Sequence, residues 1–406
     1  MEKLFQQSIE DLNSVCKFTE EELMILDNAD KATEEMAAPE FEHYLKHEVN
    51  LEAPKIAQKH GILGIPIKKE YGGLGSSHLI AVLAKERLGQ LGLGFSSFYN
   101  VQVFLGALSI QRWGNEAQKQ RYLKAAVNNE LVLAFALTEP EAGSDPASLK
   151  TSYERRDGKF VLNGTKYLIT NGSIADYIIV FARSKEKPTE ISALIVDAKS
   201  YGVSRMPLTA KIGLFTSDTA MIELKDVEVP EENLLGELGK GMHVAYAGLL
   251  NGRIGVASGC IGIIEGSLNA VIARSKERVQ HGKLIGKHQL IQRHIAEIRQ
   301  NLEMAKWPTY FAAMQRADYE KDPNNRALMD EAELRTALAK KIASRLAFES
   351  ADRAVQVFGG FGYSLLAPVG ELFCDSRVTR IYEGADEILE LKIASEVLGK
   401  GFEAYS

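Results

Sequence analysis

The spacing of apolar positions divides the chain into three segments. Residues 1–125 have a mainly helical period, and Thr19 is followed three residues later by Glu22, as in a helix N-terminal capping box. Residues 126–238 alternate polar and apolar positions and are rich in β-branched residues, which predicts an antiparallel β-domain. From 239 to 406 the helical period returns in long runs, which predicts an antiparallel helical bundle. The fold class predicted is multi-domain α+β, in the order helical, β, helical.

Two dipeptides mark turns inside the predicted β-domain. Asp157-Gly158 and Asn163-Gly164 are both sequences that adopt the positive φ angles of a two-residue hairpin turn. We therefore expect a β-hairpin at each of them.

Composition and charge exclude several classes of protein. The chain has 406 residues and a formal net charge of −6, which argues against a general surface for nucleic acid or an anionic membrane. Cys16, Cys260 and Cys374 form no CxxC pair, so neither a disulfide framework nor a zinc site is expected, and a cytoplasmic location fits. The N-terminus lacks the apolar core of a signal peptide. The most apolar run, residues 254–264, is about half the roughly 20 residues that a bilayer needs, so it predicts a buried glycine-rich helix and no membrane insertion.

The stretch "TRIYEGADEILELKIA" raises the main question about function. Glu383 precedes a predicted helix whose first turn already has two acidic residues, Asp386 and Glu387, so helix capping alone does not explain it. Gly384 beside it would let another backbone or a ligand come close. From these residues alone, a capping or solvent-facing glutamate remains an open alternative.

Other glycine-rich or histidine-containing stretches give weaker signals. Residues 137–145, "LTEPEAGSD", could offer N–H and O–H groups to a ligand, although taken alone the stretch is better explained as a plain turn. Residues 356–363, "QVFGGFGY", do not follow a strand and are not a dinucleotide fingerprint. His281, His288 and His294 are seven and six residues apart, which is poor spacing for shared ligands on a helix, so no metal site is predicted.

Five motifs, taken in order, resemble the acyl-CoA dehydrogenase family of FAD flavoproteins over nearly the whole chain. They are "ALTEPEAGSD", "NGTKYLITNG", "LKDVEVPEENLLG", "QVFGGFGY" and "VTRIYEGADEI". Each is weak singly, but the ordered set together with the helical–β–helical texture is specific. The resemblance implies an N-terminal helical domain, a middle β-domain and a C-terminal four-helix bundle, assembled as a homotetramer. It also implies FAD bound without a Rossmann unit.

The same resemblance answers the question about Glu383. It implies that Glu383 is the catalytic base that removes the α-proton of an acyl-CoA thioester, while the β-hydrogen leaves as hydride to the flavin and trans-2-enoyl-CoA is formed. Burial is expected to raise the pKa of this carboxyl to roughly 6–7, which suits the task. A subset of the family takes its base from the residue before an arginine, which here is Gly252 before Arg253. Electrons are expected to pass to an electron-transfer flavoprotein, in fatty acid β-oxidation.

The remaining site residues are implied by position in the family's motifs. Those expected at the isoalloxazine of FAD are Phe135, Leu137, Thr138, Gly143, Ser144, Leu168 and Thr170. Those expected at the FAD of a neighbouring subunit are Arg278, Gln280, Gln289, Gln356, Gly359 and Gly360. Two further cofactor contacts are expected at Ala385 and Glu387. The substrate contacts expected are Ser144, Leu250, Arg253, Tyr382 and Gly384.

Several positions depart from the family's pattern. Leu168 stands where a tryptophan usually packs against the flavin, and Ala385 stands where a threonine is common. Ser96 occupies the position of the arginine that binds the distal carboxylate in glutaryl-CoA dehydrogenases, so a dicarboxylyl substrate is disfavoured. Further departures are His281, Phe215 and Cys374. They indicate a divergent member of the family and bear on its substrate rather than on its chemistry.

Two other functions are compatible with the same fold. One is an acyl-CoA oxidase or flavin monooxygenase that uses oxygen, although a monooxygenase does not need a base such as Glu383. The other is a non-enzymatic, DNA-associated relative, which would need a basic surface, against the net charge of −6.

Overall fold

The computed structural model describes residues 2–322, 325–399, 401 and 402, with side chains from residue 9 onward. The predicted capping box is confirmed, because the backbone N–H of Glu22 donates to the Thr19 hydroxyl and the backbone N–H of Thr19 donates to Glu22. A π-helix, Asn100–Ala107, continues one helix of the N-terminal segment into the next. The α-helices of this segment are α1 (Glu2–Cys16), α2 (Glu20–Lys46), α3 (Ala53–Lys59), α4 (His78–Leu88), α5 (Gly94–Tyr99), α6 (Leu108–Trp113) and α7 (Glu116–Val127).

The middle segment is the predicted β-domain. Its strands are β1 (Leu133–Ala136), β2 (Ser152–Arg156), β3 (Lys159–Thr170), β4 (Tyr177–Ser184), β5 (Ile191–Asp197), β6 (Val203–Pro207), β7 (Thr219–Pro230) and β8 (Leu234–Leu235). They form one sheet in the order β6-β7-β3-β2-β4-β5-β8, with β1 paired to β4. Most strand pairs are antiparallel, as predicted. The exceptions are β1 and β2, which both pair with β4 in parallel. The alternation of polar and apolar residues did not indicate these two parallel pairs.

One of the two expected hairpins is present and the other is not. Asp157-Gly158 forms the β2–β3 turn, with both residues at positive φ. The expectation of a turn at Asn163-Gly164 is wrong, because both residues lie inside β3. There Gly164 falls at a register shift against β7 and packs against Thr151, where an added Cβ would lie 2.4 Å from the threonine hydroxyl.

The alternation along the strands divides the apolar residues between two cores. In β4, Ile179 and Phe181 pack in a large core shared with the helices, whereas Ile178 and Val180 pack in a second core on the other face of the sheet. The first core therefore packs one face of the sheet against the helical segments. A site between the β-domain and the helices would lie on this face.

The C-terminal segment is the predicted helical bundle. Its long helices are α8 (Gly241–Glu277), α9 (Gln289–Lys321) and α10 (Arg326–Phe358), followed by α11 (Pro368–Ser376) and α12 (Asp386–Leu398). The helices α8, α9 and α10 pack on one another, and α12 packs on α10. A small ribbon of β9 (Val279–Gln280) and β10 (Lys283–Leu284) joins α8 to α9.

Helix α8 lies at the centre of the molecule. By length and composition alone it could cross a bilayer, but 72% of its most apolar window is buried inside the protein, as in a core helix. Its glycines allow close packing, as predicted for the run 254–264. An added Cβ at Gly262, for example, would lie 2.4 Å from the carbonyl oxygen of Glu86 on α4.

Candidate active site

Glu383 lies in the short connection between a 3-10 turn, Arg377–Arg380, and α12. It does not cap α12, because the N-cap residue is Ala385, which makes no side-chain capping bond. Instead the Glu383 side chain points toward the π-helix, where the Asn100 amide donates a 2.6 Å hydrogen bond to Oε1. The capping alternative that the sequence left open is therefore not the arrangement found.

The Glu383 carboxyl has the electrostatic properties of a general base. Burial raises its pKa to about 7, while the neighbouring Lys85 ammonium and the Asn100 hydrogen bond act in the opposite direction. Its second oxygen, Oε2, is buried and has no hydrogen-bond partner among the residues that the structure describes. A buried carboxylate oxygen without a donor is available to accept a proton from a bound substrate.

Two cations hold the backbone around the base. Glu383 and Gly384 both have positive φ, 52° and 102°, a conformation that is unfavourable for glutamate. The Arg253 guanidinium donates to the carbonyl oxygen of Glu383 at 2.9 Å, and the Lys340 ammonium donates to that of Gly384 at 2.6 Å. Burial lowers the pKa of Lys340 to about 8. These charge-assisted bonds stabilise the turn that aims the carboxylate.

The contacts of Gly384 explain why this residue is glycine. Besides its positive φ, an added Cβ would lie 3.3 Å from two guanidinium nitrogens of Arg253. The sequence analysis attributed the glycine to the close approach of another backbone or a ligand, and the structure shows that its backbone angle and the Arg253 side chain already favour glycine.

Gly252 of α8 lies directly against the carboxylate. An added Cβ there would lie 1.9 Å from Glu383 Oε2 and 2.8 Å from its Cδ. Residue 252 is the position of the alternative base in the family. A side chain there would occupy the same space as the Glu383 carboxylate. A side chain at residue 252 and the present orientation of Glu383 exclude each other.

The middle-domain residues predicted to contact the flavin are brought together by one buried ion pair. The Lys166 ammonium of β3 donates to the Glu139 carboxylate at 2.8 Å and to the carbonyl oxygen of Leu137 at 3.1 Å. The backbone N–H of Tyr167 donates to the carbonyl oxygen of Thr138. The turn at residues 137–139 is therefore fixed beside the last residues of β3.

The last residues of β3 present an open surface. Leu168 lies in a register shift against β7 with φ 57° and is 55% exposed, and Thr170 beside it is half-buried. Gly143 and Ser144 are also exposed, and an added Cβ at Gly143 would meet no atom within 4 Å. Leu168, Gly143 and Ser144 are thus open to a ligand, as their predicted contact with the isoalloxazine requires.

Phe135 connects this surface to the base. Its ring packs on α8 so closely that an added Cβ at Gly248 would lie 3.1 Å from it. Because Gly248 is about one helical turn before Gly252, the predicted flavin surface and the Glu383 carboxylate lie along the same helix.

A second cleft collects the residues predicted to reach a neighbouring subunit's cofactor. It has a volume of about 610 Å³, and all the residues that line it come from the C-terminal segment, among them Arg278, Gln280, Gly359 and Gly360. Of the six residues predicted for this purpose, Gln289 and Gln356 are exposed and do not line it.

The chemistry of this cleft fits an anionic nucleotide. Arg274 and Arg278 supply positive charge, and an added Cβ at Gly359 or Gly360 would meet no atom within 4 Å, so the backbone there is open to a ligand. The cleft therefore agrees with the phosphate and adenosine part of the expected cofactor.

Comparison with known proteins identifies the family. Models of the acyl-CoA dehydrogenase N-terminal, middle and C-terminal domains match residues 19–130, 134–227 and 239–398. An acyl-CoA dehydrogenase of Bacillus subtilis is 38% identical over 84% of this chain and 88% of its own length. The chain belongs to the acyl-CoA dehydrogenase family. It is accordingly a flavoprotein oxidoreductase that acts on acyl-CoA.

Two further relatives are described with a cofactor or a partner of their own. Subunit CarC of a caffeyl-CoA reductase–Etf complex from Acetobacterium woodii is 37% identical over 84% of this chain and 88% of that protein. The structure of an acyl-CoA dehydrogenase complexed with FAD from Bacillus anthracis superposes with a TM-score of 0.88 at 30% identity, covering 96% of this chain and 68% of that one.

The other predicted site residues lie in different surroundings. Tyr382 packs against the large apolar core, and Ala385 and Glu387 lie at the N-terminus of α12. Leu250 is buried in a small cluster with Tyr319 of α9 and Ala332 of α10. Arg253 was predicted to contact substrate, and the contact that the structure shows is the one to the backbone of Glu383.

Sequence reasoning missed three polar residues around the base: Asn100, Lys340 and Lys85. Lys85 and Lys340 are themselves buried, and each interrupts an otherwise mainly apolar stretch of its helix. A lysine at such a position was the signal in the sequence that could have indicated a functional residue. Asn100 gives no such signal, because its contact to Glu383 joins residues 283 positions apart.

We expect Gly252→Ala to reduce the rate of dehydrogenation by at least about 10²-fold while leaving the protein folded. Alanine favours the helix by about 1 kcal/mol over glycine, but its methyl group displaces the Glu383 carboxylate. The measurement is the rate of flavin bleaching on anaerobic mixing with acyl-CoA.

Ala273→Ser, on the exposed side of α8, is the control and is expected to react like the wild type. Wild-type bleaching rates in the Gly252→Ala variant would show that residue 252 does not limit the position of the base.

Proposed function

We propose that the protein catalyses the FAD-dependent α,β-dehydrogenation of an acyl-CoA thioester to trans-2-enoyl-CoA and passes the electrons to an electron-transfer flavoprotein. The observation that carries the proposal is the buried Oε2 atom of Glu383, which accepts no hydrogen bond from the described part of the chain and belongs to a carboxyl with a pKa of about 7. A carboxylate of this kind is suited to remove a weakly acidic C–H proton in a dry pocket.

Each residue around the base has a separate role in this reaction. Glu383 accepts the α-proton at Oε2, and Asn100 holds the other carboxylate oxygen so that Oε2 stays directed at the substrate. Arg253 and Lys340 hold the backbone turn. The backbone N–H of Glu383 is the proposed donor to the thioester oxygen as negative charge develops there. Bound FAD supplies the acceptor for the hydride that leaves the β-carbon.

FAD as the cofactor is supported by the two open surfaces and by the FAD complex of the relative from Bacillus anthracis. The electron-transfer flavoprotein as partner is supported by the relative from Acetobacterium woodii, which is named as part of an Etf complex. An acyl-CoA oxidase of the same fold would differ in one respect, because its reduced flavin would reoxidise rapidly in air. Slow reoxidation in air is expected here.

The proposal includes a homotetramer, in which the cleft at Arg278 completes the cofactor site of a neighbour. All the residues that line this cleft come from the C-terminal segment, whereas the residues predicted to contact the isoalloxazine lie in the middle domain. The two parts of one FAD could therefore be held by different subunits. The cytoplasm as compartment is supported by the three free cysteines. Fatty acid β-oxidation as the pathway follows from the family resemblance.

The first test is Glu383→Gln. Glutamine keeps the shape of the side chain and removes only the base, so FAD and acyl-CoA binding are expected to remain. Anaerobic flavin bleaching is expected to slow by about 10²–10⁴ or more. A variant that bleaches at nearly the wild-type rate would refute the assignment of Glu383 as the base.

The pH dependence of the reaction gives a second test. Because the unprotonated carboxylate is the active form, kcat/KM is expected to fall about tenfold per pH unit below pH 7 and to level off above it. Asn100→Ala removes the hydrogen bond that favours the charged form of Glu383. The pKa of Glu383 is then expected to rise, so the acid limb of the pH profile is expected to move to higher pH. An acid limb near pH 4, the range of an ordinary glutamate, would contradict the burial of the base.

Assembly and cofactor binding are tested together by Arg278→Ala. We expect the affinity for FAD to fall by about 10–100-fold, because a charged hydrogen-bond donor is lost from the cleft. FAD titration of the apoprotein measures this, with light scattering to report the oligomer.

Arg293→Ala is the matched control, since this arginine is largely exposed and pairs with Glu297 on the same helix. Full flavin occupancy in a wild-type monomer would exclude the shared site.

A further inference from the structure

A buried lysine next to the base has no part in the reaction described above. Lys85 of α4 is 2% exposed, and its ammonium donates 2.7 Å hydrogen bonds to the Ser96 hydroxyl and to the carbonyl oxygen of Gly255. An ammonium has three N–H groups, so these two neutral acceptors leave one unused. Burying a charge in this way costs free energy that an apolar side chain would avoid, so packing does not explain Lys85.

The glycine face of α8 places this lysine in line with the base. Gly252, Gly255 and Gly259 lie on one side of the helix, and the second and third are about 4.5 Å and about 10 Å from the first along its axis. An added Cβ at each would lie within 3.3 Å of a polar group from another element. In order, those groups are Glu383 Oε2, Asn100 Oδ1, and Ser96 Oγ with Lys85 Nζ.

The electrostatics of the two groups agree with this geometry. Lys85 is the charged group that lowers the pKa of Glu383 most, and Glu383 has the largest opposing effect on Lys85. Burial lowers the pKa of Lys85 to about 7. The acyl chain of a substrate whose α-carbon lies at Glu383 would reach the lysine by following the glycine face of α8, along which Glu383 Oε2, Asn100 Oδ1 and Lys85 Nζ lie in order.

A second polar atom on this line is also without a partner. Asn100 Oδ1 is buried and accepts no hydrogen bond from the described residues, while the amide nitrogen of the same side chain donates to Glu383 Oε1 and to the carbonyl oxygen of Gly252. The unused donor of Lys85 and the unused acceptor of Asn100 together match a hydroxyl group, which accepts and donates. A substrate carboxylate only accepts hydrogen bonds, so it would face the Asn100 Oδ1 acceptor unfavourably. An alkyl chain would leave both Asn100 Oδ1 and the Lys85 ammonium unsatisfied.

We propose that Lys85 and Asn100 form a polar subsite that selects short acyl thioesters with a hydroxyl group just beyond the β-carbon, of which 4-hydroxybutyryl-CoA is the simplest. The inference rests on the proposed dehydrogenation and adds its substrate class. Asn100 Oδ1 is about one helical turn along α8 from the base, which is the span of the first few carbons of an acyl chain.

The test compares 4-hydroxybutyryl-CoA, butyryl-CoA and glutaryl-CoA as substrates of the FAD-loaded wild type and of Lys85→Met. In the wild type, kcat/KM for the hydroxyacyl thioester is expected to exceed that for butyryl-CoA by at least about tenfold. In Lys85→Met, which keeps the length of the side chain and removes the donor, butyryl-CoA is expected to become the better substrate.

Lys341→Met, a change of the same kind at a lysine paired with Glu390 on the bundle surface, is the control and is expected to keep the wild-type preference. A wild type that prefers butyryl-CoA or glutaryl-CoA, or that shows no preference, overturns the subsite and leaves the dehydrogenase assignment intact. Failure to react with any of the three thioesters also overturns the subsite, and the dehydrogenase assignment is refuted with it only if acyl-CoA thioesters up to C16 leave the flavin oxidised as well. If Lys85→Met does not fold, the wild-type ratio decides alone.

Discussion

The site depends on the two cations that hold the carbonyl oxygens of Glu383 and Gly384. The left-handed conformation of Glu383 costs roughly 1–3 kcal/mol, and hydrogen bonds to charged groups contribute about 1.5–3 kcal/mol each, so Arg253 and Lys340 together are enough to maintain it. Arg253 comes from α8 and Lys340 from α10. The position of the base is therefore a property of the helical bundle and not of the short connection that carries Glu383.

The N-terminal domain completes the site from the opposite side. It contributes Asn100 and Lys85, and α4 is fixed to α9 by the buried contacts of Glu86 with Lys306 and Tyr310. The glycines of α8 permit this approach, because any larger side chain at Gly255 would collide with Asn100. Small residues on one helix thus allow polar groups from two domains to converge on a single carboxylate.

The sequence predicts those features that depend on neighbouring residues. The capping box at Thr19 and the turn at Asp157-Gly158 are local and were predicted correctly, whereas Asn163-Gly164 was misjudged because pairing with β7 overrides its turn preference. The order of the three domains followed from hydrophobic period. The role of Glu383 came from resemblance to the family. Its partners Asn100 and Lys340 could not be predicted, since they meet Glu383 and Gly384 only through tertiary packing.

The mutual exclusion of a side chain at residue 252 and the Glu383 carboxylate also limits how such a site can evolve. Moving the base to residue 252 requires two substitutions, and neither order is free of cost. Adding a carboxylate first overfills the space beside α8, and removing Glu383 first leaves an enzyme without a base. The two base positions are therefore separated by a fitness valley, and a descendant of this chain would need both changes nearly together to cross it.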